Sequence, residues 1–309
     1  MTPPLIVVGG ATATGKTGLA IRLAESLIAG GRVAEVISAD SRQIYRGLDI
    51  GTAKATVEER RRVVHHGLDL ADPDTSFTVA DFDAHVAGVL SSLDVRGGIA
   101  ILVGGTGFYL RSVMRGLDTA RLPADPSVRA GVRADLAVDG LDRTYERLVA
   151  LAPTLAASIE RSNPRRVERA LEIALIQGDA PLPTPTGYPG PMVAIGLTVE
   201  PDTHRTWIEH RARAQFDAGL VEEARTLRER WDPSLPAFSA IGYREAWSVL
   251  DGEATLAEAI AADIARNVAF AKRQRTWFKA EPAFTWIDAT HDDPFEMARS
   301  VAGTILPPL

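Results

Sequence analysis

Residues 10–17, Gly-Ala-Thr-Ala-Thr-Gly-Lys-Thr, fit G-x-x-x-x-G-K-[ST] at every fixed position. The run from Leu5 into Gly9 reads as a short buried strand, and the run from Gly18 reads as a helix. That strand–loop–helix setting is what the motif requires. Loop amides and the helix N-terminus present partial positive charge to a phosphate chain. Gly10 and Gly15 permit backbone shapes that a side chain would block, and Ala11, Thr12, Ala13 and Thr14 complete the cradle. Lys16 reaches the terminal phosphates, and Thr17 is placed to hold Mg²⁺. The bland alternative is a glycine-rich turn beside a surface lysine. The motif calls for a polyphosphate without choosing one.

The rest of the chain narrows the class. Its 309 residues suit one large domain or two coupled ones, and 46% hydrophobic content is enough for a sizeable core. With no cysteine, disulfides, thiolate metal sites and cysteine nucleophiles are excluded, which fits a reducing compartment. No basic leader and no apolar run of membrane-spanning length is found, so a cytoplasmic protein without membrane association is expected. The net charge of −6 gives no global basic field, so any nucleic-acid site must be a local surface.

Strands are expected over residues 5–8, 36–39 and 99–103, and helices over 17–29, 79–93 and 107–115. This alternation is the pattern of a parallel sheet with helices on both faces. From about 122 to 178 helical periodicity takes over. Asn163 and Pro164 read as a cap and first turn, Val167, Ala170, Leu171, Ala174 and Leu175 as one apolar face, and Gly178 as the stop. Five prolines and two glycines in 179–191 make a loop, 192–199 a returning strand, and the remainder is mainly helical. The expected organisation is an α/β core over 1–117, a helical insertion over 118–190, and a return to the core with C-terminal helices over 191–309.

Ligands of open parallel sheets sit beyond the carboxyl ends of the strands. Asp40, at the end of the second strand, therefore points towards the phosphate loop, as a Mg²⁺ partner through water or a general base. A strand-end Asp capping a turn is the alternative. Gln43 offers the donor and acceptor that base-edge recognition needs. Residues 104–110 form a second glycine-rich strand-to-helix turn, whose Thr106 can donate to a phosphate or a base. Arg211, on an expected helix, is either a fork for diphosphate oxygens or a solvated surface arginine. Residues 266–279 carry five cations and no acid, with Lys272, Arg275 and Lys279 on one face and Trp277 and Phe278 interleaved. That is either a single-stranded RNA surface or an amphipathic helix with its aromatics inside. Arg165, Arg166 and Arg169 form a second basic cluster. His65 and His66 are adjacent with nothing to complete a metal set.

Taken in order, residues 10–17, 40–54, 65–69 with Asp72 and Pro73, 104–110, 163–172, 219–223, 240–244 and 271–278 resemble the tRNA dimethylallyltransferase family, also called tRNA isopentenyltransferase. The resemblance implies a P-loop NTPase-like core whose loop holds dimethylallyl diphosphate rather than ATP. It implies prenyl transfer to N6 of the adenosine beside the tRNA anticodon. Asp40 would be the base on N6, and Lys16, Thr17 and Arg211 would hold the diphosphate, with Mg²⁺ as cofactor. Thr106 would lie between the two substrates. Asp40, Ser41, Arg42 and Gln43, then Ala240, Ile241, Gly242, Tyr243 and Arg244, then Lys272, Arg273, Gln274 and Arg275 would face the RNA. The insertion, with Arg165 and Arg166, would grip the anticodon stem-loop, and the working form would be a monomer. Three departures stand out: Ala11 where proline is usual, Ala212, Arg213 and Gln215 where larger apolar residues are common, and Lys279 where arginine is usual. The rival readings are a small-molecule kinase, an adenylate-directed prenyltransferase and a non-catalytic nucleotide switch.

Overall fold

The computed structural model describes residues 2–281 and 283–306; Pro282 and residues 307–309, inside the expected third segment, lie outside the described residues. The elements run β1 (Leu5–Gly10), α1 (Lys16–Ala29), β2 (Ala34–Ser38), α2 (Val57–Arg62), β3 (His65–His66), α3 (Val79–Val95), β4 (Ile99–Gly104) and α4 (Gly107–Arg115). They continue with α5 (Pro126–Leu151), α6 (Pro153–Ala157), α7 (Pro164–Gln177), β5 (Met192–Thr198), α8 (Pro201–Asp217), α9 (Leu220–Arg230) and α10 (Tyr243–Leu250). The last are α11 (Leu256–Lys279), β6 (Phe284–Asp288) and α12 (Phe295–Gly303). The chain divides into two compact units, Met1–Arg115 with Tyr188–Leu309, and Gly116–Gly187.

In the first unit the strands form one parallel sheet in the order β3-β2-β4-β1-β5-β6. All six residues of β1 and of β4 are buried, because helices cover both faces. Side chains alternate between those faces. Ile6 and Val8 pack with Val36, Ile101 and Ile195 against Leu19 and Leu23 of α1. Leu5 and Val7 pack with Ile37 and Leu102 against Phe82 of α3 and Leu110 of α4. Each such buried aliphatic side chain contributes roughly 1.5–3 kcal/mol. This is a P-loop NTPase-like α/β core, and β1 delivers residues 10–17 to the carboxyl edge of the sheet beside the ends of β4 and β5. A third apolar cluster joins Ile44, Tyr45 and Leu48 to Phe216, Leu220, Tyr243, Trp247 and Ile264, so helices α8–α11 form a wall around the segment that follows β2.

The sequence reading makes the chain beyond 199 mainly helical; the structure adds β6, which pairs with β5 from Ala194↔Phe284 to Thr198↔Asp288. Its five residues lie at the sheet edge with only Phe284 and Ile287 buried, too short a pattern to register as a strand. β3, two residues long, escaped for the same reason.

The second unit is helical. Gly140, at φ 79°, kinks α5. Asn163 caps α7 by accepting the Arg166 N–H at 3.2 Å, and Gly178, at φ 74°, ends it. Its inward face differs from the expected one in one place: Leu175 is 41% exposed, while Ile173 is buried. The fully buried Glu172 is held by Arg129 at 2.9 Å, by Arg169 at 2.7 Å and by the Asp125 N–H at 3.0 Å.

Candidate active site

The loop after β1 turns tightly enough that Gly15 sits at φ 83° and even Ala13 is forced to φ 59°. A left-handed alanine costs about 1–2 kcal/mol, so the surrounding contacts must hold it. They converge on Thr12. Its N–H donates to Gln274 Oε1 at 2.7 Å, its carbonyl lies 2.7 Å from His204 Nε2, and its hydroxyl accepts from Arg211 Nη1 at 2.6 Å. Gln274 also donates to Gly105 O at 2.9 Å, so one amide on α11 spans both glycine-rich loops. A Cβ on Gly105 would stand 2.4 Å from that amide nitrogen, which is why the second loop needs glycine there.

Lys16 and Thr17 open α1 and line a cavity of about 730 Å³ with Asp40, Gln43, Gly105 and Arg211. Lys16 Nζ donates to Ala11 O at 2.5 Å. Burial, helped by the neighbouring Arg211 charge, pulls the Lys16 ammonium down to about 7, against the pull of Asp40. Burial likewise works against the Arg211 charge, and Asp40 and Asp263 support it. Asp263, buried on α11, is itself pushed up to about 6 by burial. Arg211 is therefore an inward-facing cation on α8 held against the loop after β1, not a solvated surface residue.

Asp40 caps the turn after β2 and also borders the cavity. Oδ1 accepts the Arg42 N–H at 2.8 Å, which shapes the turn, while the side chain lines the cavity. Thr106 stands beside it, accepting from Ser41 N–H at 3.0 Å, with its own N–H on Ala39 O at 3.2 Å.

Several side chains expected to face RNA are braces instead. Gln43 accepts from Ser38 Oγ at 2.7 Å and donates to Thr52 O and Ala53 O at 3.0 and 3.1 Å, so its amide is occupied within its own loop. Gln274 is buried in the clamp just described. Tyr243 and Ala240 are buried, as is Gly242, and the Tyr243 hydroxyl donates to Glu223 at 2.7 Å. Arg275 is half-buried, with Nη1 3.0 Å from His204 Nδ1, and so does not share the exposure of Lys272 and Lys279. Phe278 belongs to the core, and Trp277 lies under the Arg111 guanidinium at 4.7 Å. Ser41, Arg42 and Ile241 are half-buried; Arg244, Lys272 and Arg273 are exposed. In the helical unit Arg165 and Arg166 are exposed, Arg166 pairing with Glu160 at 3.2 Å, while Arg169 is committed to Glu172. His66 bonds Glu35 at 2.7 Å.

Sequence reasoning missed two supports. Glu223 accepts the N–H groups of Asp49, Ile50 and Gly51 at 3.2, 2.7 and 3.1 Å as well as the Tyr243 hydroxyl. His204, an isolated histidine on a helix, carried no signal at all. Gln215, in the departing segment, donates to Ile50 O and Gly51 O, which gives that departure a structural use.

The profile of the family described as IPP transferase matches residues 43–281. A tRNA dimethylallyltransferase of Picosynechococcus sp. is 37% identical over 301 residues, covering 96% of this chain and 98% of that one. The tRNA dimethylallyltransferase of Thermosynechococcus vestitus is 40% identical, covering 93% and 90%. The crystal structure of a tRNA isopentenylpyrophosphate transferase from Bacillus halodurans superposes with a TM-score of 0.70 at 38% identity, over 98% of this chain and 95% of that one. With a profile match across most of its length and relatives of this similarity end to end, the chain belongs to the IPP transferase family.

Proposed function

We propose that the protein transfers the dimethylallyl group of dimethylallyl diphosphate to N6 of the adenosine beside the anticodon of tRNA. One observation carries the reading. The cations Lys16 and Arg211 and the carboxylate Asp40 line a single cavity at the carboxyl edge of the sheet. Relatives bearing the name of that activity support it along nearly the whole chain.

In the reaction the N6–carbon bond forms, the allylic carbon–oxygen bond breaks, and diphosphate departs with the bonding pair. Charge builds on the leaving group, so preset cations there supply the largest effect. Lys16, Arg211 and the loop amides meet it. The N6 lone pair is delocalised into the ring, and Asp40 takes the N6 proton as the new bond forms. The base must leave its stack to enter the cavity.

The residues fit Mg²⁺. Thr17 contributes a hard oxygen to the same cavity as Asp40, and Mg²⁺ takes one or two protein oxygens together with phosphates and water. Bound there on Thr17, it would neutralise diphosphate charge. The RNA would meet Ser41, Arg42, Thr106, Arg244, Lys272 and Arg273, and Arg165 and Arg166 of the helical unit would take the stem-loop phosphates. No helix among the described residues is long and apolar enough to cross a membrane; a cytoplasmic monomer completes the reading.

The test supplies labelled dimethylallyl diphosphate with tRNA, AMP or no acceptor. Label in tRNA supports the proposal. Label in AMP alone, or phosphoryl transfer from ATP, overturns it.

A further inference from the structure

The ring of His204 is 1% exposed and makes a hydrogen bond at each nitrogen. Nε2 faces the Thr12 carbonyl and Nδ1 faces the Arg275 guanidinium. A carbonyl only accepts and a guanidinium only donates. The network therefore assigns the proton to Nε2 and leaves Nδ1 bare. Only the neutral ring, in that one tautomer, satisfies both partners.

The contact reaches the phosphate cradle through peptide geometry. In a trans peptide the carbonyl oxygen and the following N–H point to opposite sides, and this chain has no cis bond among the described residues. Holding Thr12 O against His204 turns the Ala13 N–H the other way, to the side of the large cavity that Thr12 and Ala13 line. Ala13 is the loop residue in a strained left-handed conformation, so its orientation depends on such a hold.

An added proton on Nδ1 would set an N–H against the Arg275 N–H groups. The other charges around the ring offer no relief. Arg275 and Lys279 of α11 line with the ring a smaller cavity of about 260 Å³, Lys16 acts on it from α1, and Trp286 of β6 and Thr14 of the loop, on the same cavity, are uncharged. On its own helix, Arg211 is a further cation. Glu200, the preceding carboxylate, is engaged as helix cap by the N–H groups of Asp202 and Thr203. Burial and the charges of Arg275 and Lys16 hold the ring below its ordinary value, despite the bond to Thr12.

We propose that His204 is a positioning residue of the donor loop: neutral, it fixes the Thr12–Ala13 peptide for diphosphate binding, and protonation releases it. This deepens the donor assignment above and rests on it.

The experiment measures binding of inorganic diphosphate, with Mg²⁺, to the wild-type protein, His204→Gln and His204→Leu between about pH 5 and 8. A glutamine amide donates to Thr12 and accepts from Arg275 as the neutral ring does, but gains no proton. Ionisation of the free ligand is common to all three proteins and cancels in their affinity ratio. His204→Leu should bind about tenfold more weakly at pH 8, the effect of one buried hydrogen bond. His204→Gln should match the wild type at pH 8 and exceed it increasingly towards the acid end, by up to about tenfold where the ring is fully protonated. Equal pH profiles for wild type and His204→Gln overturn the proposal, as does undiminished binding by a folded His204→Leu. If His204→Leu does not fold, the wild-type comparison with His204→Gln decides. Wild-type protein that binds no diphosphate at any pH overturns the donor assignment itself, an outcome distinct from any difference among variants.

Discussion

Arg211 Nη1 donates to Thr12 Oγ1 at 2.6 Å, joining a helix to a loop 199 residues earlier in the chain. The guanidinium is thus preset against the loop after β1 by a neutral hydroxyl, and the proposed diphosphate contact would add to that bond. Arg211→Lys keeps the charge but loses the fork. We expect transfer to fall about 10²-fold for lysine and further for alanine, with kcat falling alongside kcat/KM, since the leaving group carries more charge in the transition state than in the bound substrate. Steady-state kinetics with varied donor would show it; a change in KM alone would contradict the role.

Lys16, held near pKa 7, is largely neutral at pH 8.5 and charged at pH 6. A bound diphosphate favours the ammonium and raises its pKa. Binding should therefore take up protons through this group at pH 8.5 and far fewer at pH 6, and affinity should decline as pH rises above about 7. Calorimetry in buffers of different ionisation heat measures the uptake. Lys16→Met should abolish it; an unchanged uptake in that variant would assign the proton elsewhere.

Asp40 accepts the Arg42 N–H as well as lining the cavity, and the two substitutions Asp40→Asn and Asp40→Ala separate those roles. Asparagine keeps the turn but cannot take a proton. Single-turnover transfer should fall about 10²–10⁴-fold in Asp40→Asn, with diphosphate affinity and melting temperature retained. Near-normal transfer would remove Asp40 as base.

Lys272 and Arg273 are exposed, whereas Arg275 is tied to His204, so the first two are the pair to replace. Each single-strand phosphate contact contributes about 0.7 to the log–log salt slope. The double alanine variant should flatten the slope of tRNA binding by about 1.4 and leave diphosphate affinity unchanged. An identical slope would mark this stretch of α11 as an ordinary solvated face.

Glu172 is the buried centre of the helical unit. Burial raises its carboxyl pKa, but Arg129, Arg169 and the Asp125 N–H together bring it below the ordinary value of 4.5. A depressed carboxylate stabilises the fold above the unfolded-state value and loses that contribution as pH falls through the folded one. The unit should loosen below about pH 4.5, and Glu172→Ala should destabilise it by about 3 kcal/mol, since the partly exposed arginines can rehydrate. Hydrogen exchange across residues 116–187 would report both effects.

The parallel core was legible because helices on both faces demand continuous apolar strands, and residues 5–8, 36–39 and 99–103 supply them. The phosphate loop was legible because its spacing is fixed by backbone geometry. Arg211 was visible as a candidate and became a site residue only when α8 folded back onto Thr12. Gln43, Gln274 and Tyr243 have the right chemistry for RNA, yet a sequence does not tell a polar group that faces solvent from one that satisfies a buried backbone. His204 was invisible, since its meaning lies wholly in partners 192 residues back and 71 residues ahead.

The clamp on Thr12 also has a consequence in time. β1 and its loop are made well before the groups that shape the loop, which arrive 192, 199 and 262 residues later. A nascent chain carrying the complete eight-residue motif still lacks the carbonyl, hydroxyl and amide partners of its third residue. The hold on the loop is therefore complete only once α11 has been made, so the last long helix to be synthesised finishes the shape of the first turn.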